Sequence, residues 1–276
     1  MKTVAVCNQK GGVGKTTITL GLASAGAAEG VRVLVIDLDP QANATGALLP
    51  EFDGSSGYTS NDVLGGARGC AAEAITESTP WGVGVIAASL SLAARDLDTA
   101  LGSEQKLRSA LDSADLQADW DLCLVDCPPS VGRLVSAALV AADEALIVTE
   151  PSLMASQGVA MVQNTIATVR EHYNPTLTLA GVAVNRVGRF KEAIYRLEEL
   201  TGALGPVVWE PVMPQRAALV EAAGLGIPIH QHRPRQPEIL HVLDTWLDRL
   251  LARGAKRIER GRGVKAQQAT IRGAAA

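Results

Sequence analysis

Aromatic side chains make up only 3% of the 276 residues, so a core has to be assembled from Val, Leu, Ile and Ala, which dominate the 47% apolar content. That is enough to bury a parallel sheet. No run approaches the roughly 18 uninterrupted apolar residues a membrane span needs, and Met1-Lys2 opens into a strand-like segment with no secretory h-region. The expected compartment is cytosolic. The four cysteines, Cys7, Cys70, Cys123 and Cys127, contain no CxxC, and Cys123-x3-Cys127 has no second Cys or His pair nearby. Zinc and iron–sulfur ligation are thereby disfavoured, and the thiols read as small buried hydrophobes. His230 and His232 flank Gln231 without a third ligand and read as surface loop; His172 and His241 sit in helical patterns.

Charge is present but uneven. The net value is −4, yet residues 253–276 carry seven basic groups against Glu259, leaving 18 basic and 28 acidic groups on the other 252 residues. A basic tail on an acidic body suits either a polyanion contact or a solvated end.

Apolar, β-branched runs recur at residues 3–7, 32–36, 83–87, 122–125, 145–149, 179–184 and 207–209. Helical patterns at 16–29, 91–113, 132–142, 156–172, 190–201 and 237–253 separate most of them, and 50–69 reads as a loop with one short helix. Near-continuous apolar strands alternating with helices predict an α/β fold, a mainly parallel twisted sheet covered on both faces. No linker divides two cores, so residues 1–252 are expected to form one domain and 253–276 a basic, flexible tail. The first strand begins at residue 3, which leaves no room for an N-terminal helix-turn-helix.

Chemistry concentrates at strand ends. Residues 8–17 read Asn-Gln-Lys-Gly-Gly-Val-Gly-Lys-Thr-Thr between the first strand and the first helix. Such a junction aims several backbone N–H groups at one point, where the helix dipole also favours negative charge: a phosphate cradle. Gly11, Gly12, Val13, Gly14, Lys15, Thr16 and Thr17 are its expected lining. Lys15 supplies a point charge for β- and γ-phosphates, and the Thr16 hydroxyl can ligate Mg²⁺. Gln9 stands where the common pattern has its first glycine, and a second lysine, Lys10, follows. The strand at 32–36 runs into Asp37-Leu38-Asp39-Pro40-Gln41, and the strand at 122–125 into Asp126-Cys127-Pro128-Pro129. Carboxyl ends of strands are where open α/β sheets bind ligands.

KGGVGKTT with its extra Lys10 resembles the deviant Walker A loop of the ParA/MinD class of dimerising ATPases, and DxDPQ and LVDCPP follow in that family's order. The resemblance covers residue 2 to about residue 252 and points to the small ParA form. It implies a P-loop NTPase fold, ATP and Mg²⁺ as cofactors, and a homodimer sandwiching two nucleotides, with Lys10 reaching the partner's. Lys10, Lys15 and Asp39 are then the catalytic set: Asp39 positions the attacking water and Asp37 supports the Mg²⁺ hydration shell. Asp126 holds Mg²⁺ through a water, with Thr16 as the remaining metal group. Asn185 resembles the residue that reads the adenine edge, and Pro214 the loop that closes over the base. The resemblance further implies non-specific binding of double-stranded DNA, a ParB-like or cargo-adaptor partner that stimulates slow hydrolysis, and a nucleoid-associated cytoplasmic location. Arg186, Arg189, Lys191, Arg196 and Arg216 are the expected DNA contacts, since such binding needs several cations set at phosphates and no base-reading element. Arg233 and Arg235 have the same character.

Two other readings exist on this scaffold. A MinD-like membrane-cycling ATPase needs an amphipathic C-terminal helix, for which 254–276 offers only Ile258, Val264 and Ile271 as large aliphatics. A metabolic ligase or reductase needs a substrate pocket that sequence does not disclose, or cluster cysteines that are missing.

Overall fold

The computed structural model describes residues 1–252 apart from residues 55–56, 67–69, 78, 99 and 113. The basic tail expected over 253–276 lies outside the described residues. Seven strands form one sheet: β1 (Lys2–Cys7), β2 (Val33–Asp37), β3 (Ile75–Thr76), β4 (Gly84–Ile86), β5 (Leu122–Asp126), β6 (Glu144–Thr149) and β7 (Thr178–Val184). Their order is β3-β4-β2-β5-β1-β6-β7, parallel throughout except for β3, which pairs antiparallel with β4.

Both sheet faces are dry, as continuous apolar strands require. Alternate residues of β1 point to opposite sides: Val4 and Val6 enter one core cluster, Ala5 and Cys7 the other. The first cluster is closed by α1 (Lys15–Ala28), α2 (Asn43–Leu48), α11 (Ala218–Gly224) and α12 (Pro237–Ala252). The other is covered by α3 (Ser60–Gly65), α4 (Cys70–Glu73), α5 (Leu92–Arg95), α6 (Lys106–Leu111), α7 (Ala114–Asp119), α8 (Arg133–Ala141) and α9 (Ala155–His172). At Gly21 the helices α1 and α12 approach so closely that an added Cβ would lie 2.8 Å from Leu243 Cδ2. The sheet register places Asp37 opposite Asp126 and Val6 opposite Asp126, so the ends of β2, β5 and β1 lie side by side.

Several expectations need correction. The helix anticipated at 91–113 is broken into α5, a 3₁₀ turn at Ser103–Gln105 and α6. Between the pieces, the Asp98 side chain accepts the Ala100 N–H at 2.9 Å and Gly102 sits at φ 77°, so the chain turns there instead of continuing the helix. The strand anticipated at 207–209 is instead a 3₁₀ turn at Gly205–Val207 followed by an isolated bridge from Val208 to Val182. Pro206 and Pro211 remove ladder donors there. The short helices α2, α4, α7 and α11 and the two-residue β3 carry too few periods to be read from sequence. The helix anticipated at 190–201 runs longer, as α10 (Lys191–Leu204). His230 and His232 are not surface residues. His232 is 5% exposed, and His230 bridges Ser24 Oγ (2.8 Å) and Asp244 Oδ1 (3.0 Å), fastening the loop before α12 to α1. The four cysteines are all buried and unpaired, as expected. Among the described residues no helix is long and apolar enough to cross a membrane.

Candidate nucleotide site

The loop between β1 and α1 bends through Gly12 (φ 79°) and Gly14 (φ 92°), conformations that only glycine adopts cheaply. Space as well as φ excludes a side chain at Gly14, because its Cβ would collide with the Asn185 amide. The loop's start is pinned by Asn8, buried at the end of β1. Its Nδ2 donates to Val148 O (2.7 Å), and its Oδ1 accepts the Lys10 N–H (3.0 Å).

Inside the loop, Lys15 is 6% exposed and its Nζ rests on Lys10 O at 3.3 Å. Burial lowers its pKa, and the nearby Asp126 carboxylate opposes that shift. Thr16 Oγ1 donates to Asp126 Oδ2 at 2.7 Å, and Thr19 Oγ1 to Asp126 Oδ1 at 3.2 Å. The two acids at the ends of β2 and β5 are fully buried. Burial drives the Asp126 carboxyl well above the usual carboxylate range. Asp37 adds to the rise, while the Thr16 bond and Lys15 oppose it. Asp37 rises for the same first reason, against hydrogen bonds from Thr45 and the Asp39 backbone. A hard cation set beside such a pair of buried carboxylates would stabilise both charges.

The sign of the pH effect follows. A carboxyl whose pKa is higher in the folded than in the unfolded chain contributes stability at low pH that is lost as pH rises from about 4 into the neutral range. Asp126→Asn should therefore raise the melting temperature of the nucleotide-free protein more at pH 8 than at pH 5. An equal change at both pH values would show that Asp126 carries no such charge cost.

Asp37 and Asp39 are built into one turn. Asp37 Oδ1 accepts the Asp39 N–H (3.0 Å), and its Oδ2 accepts both the N–H and the hydroxyl of Thr45 (2.8 Å each) at the start of α2. Asp39 is 7% exposed and its Oδ1 accepts the Gln41 N–H at 2.9 Å. Asp37 thus organises the loop that presents Asp39.

Lys10 points away from these two carboxylates. Its ammonium pairs with Glu150 Oε1 at 2.8 Å and reaches Ser152 Oγ at 3.4 Å, in the loop after β6. Exposed Leu153 and Met154 follow immediately, and Val131 is exposed in the loop after β5. At the end of β7, Asn185 is buried, with Nδ2 on Val13 O (2.9 Å) and Oδ1 accepting the Arg186 N–H (2.9 Å). Pro214 bridges to Val187, and Met213 N and Gln215 N donate to Val184 O and Val187 O, so this segment extends the sheet beyond β7.

The expected DNA contacts are dispersed. Arg186 turns to the phosphate loop, donating to Gly12 O. Arg196 is held by Glu192 (2.7 Å) and Glu199 (2.8 Å) within α10, and Arg216 by Glu238 (2.6 Å). Arg189 and Lys191 are exposed, without an ion pair among the described residues. Glu150 is not among the expected site residues, although it is an acid directly after an apolar strand, the same signal that marks Asp37 and Asp126. Thr19 and Thr45 carry no sequence signal, because their bonds are made across separate elements.

The AAA_31 family model, described as an AAA domain, matches residues 1–179. The sporulation initiation inhibitor protein Soj of Bacillus subtilis is 32% identical over 237 residues, 85% of this chain and 92% of that protein. The chromosome partitioning protein ParA of Caulobacter vibrioides is 32% identical over 233 residues, 83% of this chain and 86% of that protein. Among solved structures, cobyrinic acid a,c-diamide synthase from Mycobacterium smegmatis with bound ADP and magnesium aligns with a TM-score of 0.77 at 28% identity, over 93% of this chain and 96% of that one. Cyanothece McdA in complex with ATP shares the fold with a TM-score of 0.80, at 21% identity over 91% of this chain and 96% of that one. With a phosphate loop, paired strand-end acids and this likeness along most of its length, the chain belongs to the ParA/Soj family of P-loop partition and positioning ATPases.

Proposed function

We propose that the chain is a slow, Mg²⁺-dependent ATPase that dimerises on ATP, coats DNA non-specifically in the cytoplasm and is released when a partner stimulates hydrolysis. The observation that carries this reading is the division between the two lysines. Lys15 is folded into its own loop beside Thr16 and Asp126, whereas Lys10 leaves that loop for Glu150 on the outer lip. A lysine directed outward, on a rim that also exposes Val131, Leu153 and Met154, supports a contact with a second copy and its nucleotide.

The donor set fits a hydrated Mg²⁺. Mg²⁺ keeps several waters and takes one or two carboxylates together with phosphate oxygens, so the Thr16 hydroxyl and the Asp126 carboxylate, with Asp37 behind them, suffice. Bound there, Mg²⁺ supplies the charge that neutralises the β- and γ-phosphates. Gly11 to Thr17 cradle the phosphates, Asn185 and the Pro214 segment flank the base, and Asp39 orients the water. The Lys10 ammonium is directed to the charge that develops on the partner's γ-phosphate. Arg189 and Lys191 are the open cations for DNA. Arg196 and Arg216 join them only by sharing their carboxylates. The activator is a ParB-like or cargo-adaptor protein, and the cargo a plasmid, a chromosome origin or a protein body.

With Mg²⁺ and a non-hydrolysable ATP analogue, the protein should sediment as a dimer and retain double-stranded DNA, with retention falling steeply as salt rises. Lys10→Ala should stay monomeric under the same conditions. A wild-type protein that remains monomeric, or a Lys10→Ala variant that dimerises equally well, overturns the reading.

A further inference from the structure

Each of three carbonyls in the phosphate loop is held by a side chain. Lys10 O takes Lys15 Nζ (3.3 Å), Val13 O takes Asn185 Nδ2 (2.9 Å), and Gly12 O takes the Arg186 guanidinium. The last two donors are consecutive residues just past β7. In a trans peptide unit C=O and N–H point in opposite directions. Drawing the Gly12 and Val13 carbonyls toward the β7 end therefore turns the N–H groups of Val13 and Gly14 away from it.

Arg186 is itself held in place. Its backbone sits at φ 55°, a left-handed conformation uncommon for a residue with a side chain and one that costs energy to maintain. The Asn185 side chain fixes that turn by accepting the Arg186 N–H at 2.9 Å. Its guanidinium also lies 3.9 Å from Glu150 Oε2, while Glu150 Oε1 pairs with Lys10 at 2.8 Å. One carboxylate thus steadies the arginine on Gly12 and the lysine on the lip.

We propose that Arg186 is a positioning residue of the nucleotide site: with Asn185 it orients the peptide groups of the phosphate loop so that their N–H groups converge on the β-phosphate. This role rests on the nucleotide reading of the loop. It removes Arg186 from the DNA-contacting set and gives it a task that depends on phosphate rather than on base or DNA.

The test is calorimetric titration of the full chain, without DNA, with Mg²⁺-ADP and with AMP, which lacks the β-phosphate. Losing a charge-assisted bond that aligns the loop should weaken ADP binding about tenfold in Arg186→Ala. AMP affinity should change less than about twofold, since the aligned N–H groups have no β-phosphate to meet there. Arg186→Lys, which keeps one charged donor, should recover most of the loss. Arg186→Gly, which relieves the positive φ, should match Arg186→Ala and so assign the effect to the side chain. Unchanged ADP affinity in Arg186→Ala, or equal losses for ADP and AMP, overturns the proposal. A wild-type chain that binds no ADP overturns the nucleotide reading itself and the proposal with it.

Discussion

Asp39→Ala is expected to lower ATP turnover by about 10²- to 10³-fold, in the range found for groups that orient or deprotonate the nucleophile. ATP-dependent dimerisation should persist. The geometry separates the two effects. Asp39 is carried by the turn after β2, its Oδ1 is spent on the Gln41 N–H, and its Oδ2 has no protein donor among the described residues. Its carboxylate makes no hydrogen bond to Lys15, Thr16 or Asp126 among the described residues, so its removal spares the bonds that hold the phosphate loop and the Thr16–Asp126 pair. Single-turnover hydrolysis beside analytical ultracentrifugation reads both quantities. A variant that hydrolyses ATP at the wild-type rate removes Asp39 from the catalytic set. One that also fails to dimerise makes it part of the switch that closes the interface.

Trp246→Ala should cost about 3–5 kcal/mol of stability, the usual penalty for emptying an aromatic site in a core. Trp246 is fully buried on α12 and packs at a tilt against Trp209, with ring centroids 6.0 Å apart and ring planes at 58°. Its Nε1 donates to Pro211 O at 2.9 Å, and Trp209 Nε1 to Ala180 O at 3.1 Å. The two indoles therefore tie the last helix to β7 and to the segment that ends in Pro214. A loss of that size is a large part of the 5–15 kcal/mol that holds a typical domain together. Urea denaturation should show it, and Trp246→Phe, which loses the hydrogen bond but keeps a ring, should cost clearly less. A loss below about 1 kcal/mol for the alanine variant would mean that α12 is docked by other contacts.

The order of chemistry along the chain is legible in the sequence. A glycine loop after β1 and acids after β2 and β5 are local features, each made by a strand that ends in a polar residue. Because parallel strands all present their carboxyl ends at one edge, these separate signals predict a single site. The long helices and apolar strands were equally readable, since each carries several turns or alternations of pattern. Short elements were not: β3 is two residues long, and α2 makes fewer than two turns.

What the sequence alone determined is therefore the fold class, the loop that cradles phosphate and the carboxylates beside it, because periodicity and strand ends are properties of neighbouring residues. Tertiary structure decided where the long side chains go. Lys10 and Arg186 lie 176 positions apart and meet on Glu150; Arg216 is held by Glu238 of α12; His230 closes on Ser24 from 206 residues away. A lysine or arginine reaches far enough to choose among several carboxylates and carbonyls, and that choice is made by packing between elements remote in the chain.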